Sequence, residues 1–270
     1  MHEYQTIKVT RKDACATIEF TPPILVHDKQ DIPLRPGRHR ELGIALEELR
    51  FDNDIRVVVI TGQGDVFCMT APNHPHFHGH SPDKTWDGLQ ALQYSFQQII
   101  EIEKPVIAKV NGGVKGWGSS LAFSCDFILA REDAVFCDHH LAMGDGNPPV
   151  GRPGAGIVPG DGGTIFVPLH MSPPLAREYL WLGKQLTGKE LYERGCINAA
   201  VPAGELDLVC DRMVDALLRR PPYALAFAKR AFNRFYAERF NLMFDIGYAY
   251  EMMNKEQHDR YADNRGKKTL

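Results

Sequence analysis

The chain has 270 residues, of which 44% are hydrophobic and 24% are charged, and its formal net charge is -3 at pH 7. This composition predicts a folded globular protein with a substantial core and excludes extensive disorder. A weakly acidic chain lacks the basic surface that general nucleic-acid binding needs, so no nucleic-acid partner is expected. The N-terminus does not resemble a secretory signal, and no apolar run could span a bilayer. We therefore expect a cytoplasmic protein without a membrane partner.

Six cysteines are scattered along the chain with no CxxC pair. In a chain of this length, such cysteines are typical of reduced, mostly buried thiols. They are Cys15, Cys68, Cys125, Cys137, Cys196 and Cys210.

Strands and helices alternate in the first part of the chain. Alternating polarity predicts a half-buried strand at residues 16–20, and helical spacing predicts an amphipathic helix at 39–51. The apolar run at 56–62 predicts a strand buried on both faces, as in a parallel sheet. A polar loop from 62 to 84 then leads to a helix at about 87–102.

The same alternation continues to about residue 130, after which a Gly/Pro-rich stretch reaches residue 163. The patterns predict strands at 105–112 and 126–130 with a short helix at 119–125 between them. The last third is predicted to be helical, at 175–182, 187–195, 206–219 and 223 to about 254. The overall pattern indicates an α/β fold with a helical C-terminal region.

Two strands, at 59–62 and 106–110, each run into a glycine-rich turn. Parallel sheets bind ligands at the carboxyl ends of their strands, and free N–H groups there can stabilise an oxyanion. The alternative is that these glycines only make tight turns.

The order of four motifs resembles the crotonase (enoyl-CoA hydratase/isomerase) superfamily over about residues 57–201. They are TGQGDVFC at 61–68, KPVIAKVNG at 104–112, SSLAFSCDFILA at 119–130 and GIVPGDGG at 156–163. The resemblance implies a crotonase-like spiral of ββα units at 1–200 and a C-terminal helical trimerisation region at 201–270. It also implies a homotrimer, or a hexamer formed as a dimer of trimers. The oxyanion hole would consist of the backbone N–H groups of Ala71 and Trp117.

The sequence departs from the pattern of CoA-using family members in three places. It has Met-Thr-Ala-Pro at 69–72 where they usually have Ala-Gly-Ala-Asp, and Trp117 lies between two glycines where they have a third glycine. Ser120 stands where hydratases carry one catalytic carboxylate, and their second carboxylate falls near His140. Without that pair, addition of water to a double bond loses its expected acid and base.

Asp138, His139 and His140, with Asp161 further along, resemble the site of oxocamphor hydrolase-type β-diketone hydrolases. Those crotonase relatives cleave a C–C bond between two ketones without CoA. The resemblance implies that Asp161 pairs with His140 or His139 to activate water, and it leaves open which histidine does so. Histidines at the surface or at a helix end are the alternative.

The pocket is expected to include Leu34, where the diketone hydrolases have a tryptophan, together with His78, Ser120 and Asp138. The roles of the extra Gly/Pro-rich residues at 143–152 and of the histidines at 74–80 stay open. Alternating histidines could bind Zn or Cu, but the absence of acidic or cysteine ligands nearby favours a polar loop, so no metal is expected. Arg35, Arg38 and Arg40 could bind a CoA phosphate or a substrate carboxylate, although a solvated helix start is the simpler interpretation.

Three functions are consistent with these residues. The first is hydrolysis of a β-diketone, a small-molecule substrate, with no cofactor. The second is hydratase, isomerase or lyase chemistry on a CoA thioester, which would then be the substrate. The third is a non-catalytic protein with the crotonase fold. CoA binding separates the first two, and activity on cyclic diketones tests the third.

Overall fold

The structure, a computed structural model, describes residues 3–21, 37–68, 82–141 and 156–264, without the side chains at 82, 84 and 255–264. Several predicted features lie outside the described residues: Leu34, Ala71, His78, the histidines at 74–80 and the insertion at 143–152.

The main sheet has six strands in the order β1-β2-β3-β5-β7-β10, and only the β1–β2 pair is antiparallel. Its strands are β1 Ile7–Lys12, β2 Cys15–Phe20, β3 Val57–Gly62, β5 Val106–Val110, β7 Phe127–Arg131 and β10 Ala199–Val201. A smaller sheet has the order β4-β6-β8-β9, and only its last pair is antiparallel. Its strands are β4 Val66–Cys68, β6 Gly113–Lys115, β8 Val135–Cys137 and β9 Leu186–Thr187.

Eight α-helices complete the described part of the chain. They are α1 Arg38–Phe51, α2 Pro82–Glu101, α3 Trp117–Ser124, α4 Gly163–His170, α5 Pro173–Trp181, α6 Gly188–Glu193, α7 Leu206–Leu218 and α8 Pro222–Asn264. The predicted α/β fold with a helical C-terminal region is confirmed. The short strands β4 and β6 and the helix α4 were not predicted, since β4 and β6 have three residues each and α4 contains Pro168.

Strand β3 is buried along its whole length, as its continuous apolar sequence predicted. Because side chains alternate along a strand, Val58 and Ile60 join the larger core under α1 and α2. Val57 and Val59 face the other way and pack with side chains of α7. The sheet is therefore covered on both faces. A ligand can reach the sheet only at the ends of its strands, so a binding site is expected there.

All six cysteines are free, and every one except the half-buried Cys15 is buried, which confirms the prediction of reduced thiols. Within the described ranges, the structure contains no helix that is both long and apolar enough to cross a membrane.

Candidate active site

The first part of the site is the turn where β6 runs into α3. Gly116 has a φ of 55°, a left-handed conformation that glycine adopts without strain, and it places Trp117 as the first residue of the helix. The backbone N–H groups of a first helical turn have no acceptor within their own helix. A Cβ on Gly118 would lie 2.2 Å from the carbonyl oxygen of Cys68, so only glycine lets the end of β4 approach α3 this closely.

The indole of Trp117 points into the protein and is buried. It packs against the rings of Phe20 and His39, with centroid distances of 5.9 and 4.1 Å. The indole therefore fills space beside the turn, and its Nε1 has no hydrogen-bond partner among the described residues.

The second part of the site is a chain of three buried side chains, Asp138, His140 and Asp161. Oδ1 of Asp138 lies 2.7 Å from Nδ1 of His140 and also accepts a hydrogen bond of 3.1 Å from the backbone N–H of His140. On the opposite side of the ring, Nε2 lies 3.3 Å from Oδ2 of Asp161. The imidazole is thus held between two carboxylates.

Local structure explains how these groups meet. Asp138 and His140 follow β8, and the backbone N–H of Ile157 donates to the carbonyl of His140 at 2.8 Å, which brings the segment with Asp161 alongside. Gly163 begins α4, and a Cβ there would lie 2.7 Å from Oδ2 of Asp138. The absence of a side chain at Gly163 therefore leaves room for the carboxylate of Asp138.

The two carboxylates determine the charge of His140. Burial by itself would lower the pKa of this imidazole, but the charges and hydrogen bonds of Asp161 and Asp138 outweigh it and raise the pKa well above the ordinary value. For Asp161, burial would raise the pKa, but His140, His39 and the hydroxyl of Ser120 together lower it. The resting site therefore holds an imidazolium between two carboxylates at neutral pH.

Comparisons with known proteins identify the family of the chain. The family model "Enoyl-CoA hydratase/isomerase" matches residues 33–265. The chain belongs to the crotonase superfamily. The carnitinyl-CoA dehydratase of Salmonella typhimurium is 28% identical over 212 residues, which are 77% of this chain and 74% of that protein.

Two solved structures share the fold of this crotonase over nearly its whole length. The β-diketone hydrolase ABDH of the cyanobacterium Anabaena, bound to (S)-3-oxocyclohexyl acetic acid, has a TM-score of 0.78 and 25% identity, covering 95% of this chain and 96% of that one. An enoyl-CoA hydratase/isomerase of Mycobacterium paratuberculosis has a TM-score of 0.76 and 23% identity, with 93% of each chain covered. The crotonase family and fold are thereby established.

The structure separates the two histidines that the sequence left as alternatives in this crotonase. His140 faces both carboxylates, whereas the ring of His139 stacks on that of His140 with centroids 5.6 Å apart and an interplanar angle of 10°. Burial and the neighbouring His140 charge lower the pKa of His139 to about 4, so this second imidazole is neutral at pH 7. Its Nδ1 is buried without a partner among the described residues.

The structure shows what Ser120 and Asp138, both predicted as pocket residues, contact. Ser120 donates a hydrogen bond of 3.3 Å to Oδ1 of Asp161, so it orients that carboxylate. Asp138, predicted as a pocket residue, is fully buried and holds His140 from behind. The Asp-x-His spacing after a strand was the available signal, because residues two apart on an extended segment point to the same side. His39 was missed, since a histidine inside a helical pattern carries no signal of its own.

In the described part of the chain, Asp138, His140 and Asp161 are the one group of three or more His, Cys, Asp or Glu residues whose possible metal-ligand atoms lie within 4.8 Å of one another. Both ring nitrogens of His140 already face a carboxylate oxygen. A metal ion would have to displace one of these contacts to reach a nitrogen, so the arrangement suits a proton better than a metal.

Proposed function

We propose that this crotonase hydrolyses a β-diketone by a retro-Claisen reaction that needs no CoA and no metal. The observation that carries the proposal is the buried Asp138–His140–Asp161 chain, in which the imidazole is oriented at Nδ1 and faces Asp161 at Nε2. A histidine held between carboxylates is a strong proton acceptor in its neutral form, because both charges stabilise the imidazolium that forms.

In the proposed reaction, His140 is in its neutral form, and a water molecule beside it, hydrogen-bonded to Nε2 of His140 and to Asp161, attacks one carbonyl carbon of the diketone. The proton of the water passes to Nε2 as the new C–O bond forms. The bond from that carbon to the central carbon then breaks, and its electron pair forms the enolate of the second ketone. The proton returns from His140 to the central carbon, which leaves one carboxylic acid and one ketone.

The backbone N–H of Trp117, together with the predicted contribution of Ala71, would stabilise the negative oxygen of the enolate. The distance of 3.3 Å between Nε2 and Asp161 is longer than a strong charged hydrogen bond, which favours a second hydrogen bond between Nε2 and the proposed water. The likeness in fold to a β-diketone hydrolase supports the same reaction class.

Turnover of a panel of cyclic β-diketones in the presence of ¹⁸O-water tests this proposal. We expect one labelled oxygen in the product carboxylate, no requirement for CoA, and loss of turnover in Asp161→Asn. Asp133→Asn is the matched control, because Asp133 is an exposed partner of Arg131 outside the site. Absence of C–C cleavage across the panel would rule the proposal out.

A second candidate is hydration, isomerisation or lyase chemistry on a CoA thioester, since the carnitinyl-CoA dehydratase is a relative by sequence. Against it, Ser120 and His140 stand where the resemblance places the two hydratase carboxylates. Calorimetric titration with CoA and with crotonyl-CoA distinguishes the two functions, because the second requires binding of the nucleotide and the first predicts none.

A further inference from the structure

Arg38, the first residue of α1, turns its guanidinium toward the ends of two strands that border the site. Nη1 donates to Sγ of Cys68, at the end of β4, over 3.4 Å. The guanidinium carbon lies 5.4 Å from the ring centroid of Phe20, at the end of β2. Arg38 begins the helix, as the simpler interpretation expected, but it is half-buried and not fully solvated.

This cation has no counter-ion in the described part of the chain. Its contacts there are Cys68 and Phe20, and its Nε is buried without an acceptor. Burial raises the pKa of the Cys68 thiol, so the sulfur is neutral at pH 7 and cannot balance the charge. A cation in the first turn of a helix also opposes the helix dipole. Because a buried polar nitrogen normally has a hydrogen-bond acceptor, Arg38 is suited to receive an anion that the described residues do not provide.

The position of Arg38 connects it to the reacting groups. The ring of Phe20, over which the guanidinium lies, packs on the indole of Trp117 with centroids 5.9 Å apart. The adjacent residue, His39, packs on the indole of Trp117 at 4.1 Å and its charge acts on Asp161. Arg38 is thus connected to Trp117 by packing through Phe20 and through the adjacent His39.

We infer that Arg38 binds the carboxylate of a keto acid or of a carboxylate-bearing diketone in this pocket. The inference rests on the proposed function, which generates a carboxylic acid in a site whose two aspartates would otherwise repel an anion. A guanidinium presents paired N–H donors that match the two oxygens of a carboxylate. The anion has two possible sources, the product of the cleavage or a carboxylate that the substrate already carries.

Binding of (S)-3-oxocyclohexyl acetic acid and of its neutral methyl ester, measured by calorimetry, tests the inference. We expect the wild-type protein to bind the acid at least about tenfold more tightly than the ester, as one charged hydrogen-bonded contact provides. In Arg38→Gln the preference should fall to within about twofold, and Arg38→Lys should keep part of it because the charge remains without the paired donors.

Arg40→Gln is the matched control, since Arg40 lies in the same helix and its charge acts on Tyr94 of α2 instead. It should keep the wild-type preference, and thermal unfolding should show that both Gln variants are folded. Equal binding of acid and ester by the wild type, or a preserved preference in Arg38→Gln, would overturn the role of Arg38 alone. Failure of both ligands to bind the wild type would overturn this inference, whereas the proposed function is decided separately by turnover of the diketone panel.

Kinetics distinguish the two sources of the carboxylate. If it belongs to the product, Arg38→Gln should weaken inhibition by the keto acid at least about tenfold while the KM of a neutral diketone stays unchanged. If it belongs to the substrate, Arg38→Gln should raise the KM of a carboxylate-bearing diketone only. A variant that changes neither quantity would contradict the inference.

Discussion

His139 and His140 stack with their ring planes 10° apart, yet their pKa values move in opposite directions. His140 lies between two carboxylates, which raise its pKa, whereas His139 is buried beside the resulting positive charge, which lowers its pKa to about 4. Adjacent residues in the same buried segment therefore differ in charge at neutral pH. The difference arises because Asp138 and Asp161 contact only one of the two rings.

The opposite pKa shifts of His139 and His140 predict that the free energy of unfolding is greatest near the pKa of an unfolded histidine, about 6.5. Between pH 4 and 6.5 the unfolded chain protonates both histidines but the folded chain only His140, so stability rises with pH. Lowering a pKa from 6.5 to about 4 corresponds to about 3 kcal/mol lost by pH 4. Above 6.5 the folded chain alone keeps a proton on His140, so stability falls until the raised pKa is passed. Urea unfolding at a series of pH values measures both the rise in the free energy of unfolding below pH 6.5 and the fall above it.

The variant His139→Phe separates the two contributions to stability. It keeps a buried ring beside His140 but removes the group with the lowered pKa, so the rise in stability from pH 4 to 6.5 should flatten. The fall above pH 6.5 should persist, because it depends on His140. A variant that retains the full rise from pH 4 to 6.5 would show that His139 is not its origin.

The dependence of kcat/KM on pH follows from the raised pKa of His140 if its neutral form accepts the proton of water. Activity on a β-diketone should then increase with pH through a value clearly above 6.5 and level off where His140 is neutral. Steady-state measurements of kcat/KM from pH 6 to 10 test for this increase. Activity that is already maximal at pH 6 would contradict the assignment of His140 as the base.

Asp138→Asn removes the charge behind His140 with little change in shape. We expect kcat to fall about a hundredfold or more, because an amide no longer stabilises the imidazolium or fixes the ring tautomer. The rise of kcat/KM with pH should also shift to lower pH, because one of the charges that raise the pKa of His140 is gone. Asp133→Asn should leave both quantities unchanged. A lower kcat without that shift in pH would assign Asp138 a purely structural role.

The regular elements could be predicted because each has its own periodicity, as in the apolar run of β3 or the amphipathic helix α1. The short strand β4 has no such pattern, and its pairing with β6 depends on contacts between distant segments. Asp161 and the two histidines were named from motif order. The orientation of His140 required the backbone hydrogen bond from Ile157, which no local pattern encodes. The orientation of Arg38 also depends on contacts with residues that are distant in the sequence, Phe20 and Cys68.

Gly118→Ala tests the close approach of α3 to the end of β4. The added Cβ would lie 2.2 Å from the backbone oxygen of Cys68, and a backbone atom cannot move aside without displacing its strand. We expect destabilisation of about 1–3 kcal/mol in chemical unfolding, as in other overpacked cores, together with a lower kcat from a displaced Trp117 amide. Gly64→Ala provides a comparison, since nothing lies near its Cβ although its positive φ adds some strain. Wild-type stability and activity in Gly118→Ala would contradict the proposed placement of the oxyanion donor.

The last prediction concerns self-association through α8. Its exposed apolar side chains include Phe235, Leu242, Ile246, Tyr250 and Met253, which recur at helical spacing and so form one stripe. An exposed stripe of this kind is typical of a surface that another protein covers, and we expect a second copy of the chain to cover it, in a trimer or in a hexamer.

Sedimentation equilibrium of the wild-type protein should give the mass of a trimer or of two trimers. Ile246→Glu should shift the mass toward the monomer, because a charge would be buried in the contact. Asn241→Glu is a suitable control, because it adds the same charge at an exposed position on another face of the same helix. A wild-type protein that sediments as a monomer at micromolar concentration would contradict the assignment of this stripe to self-association.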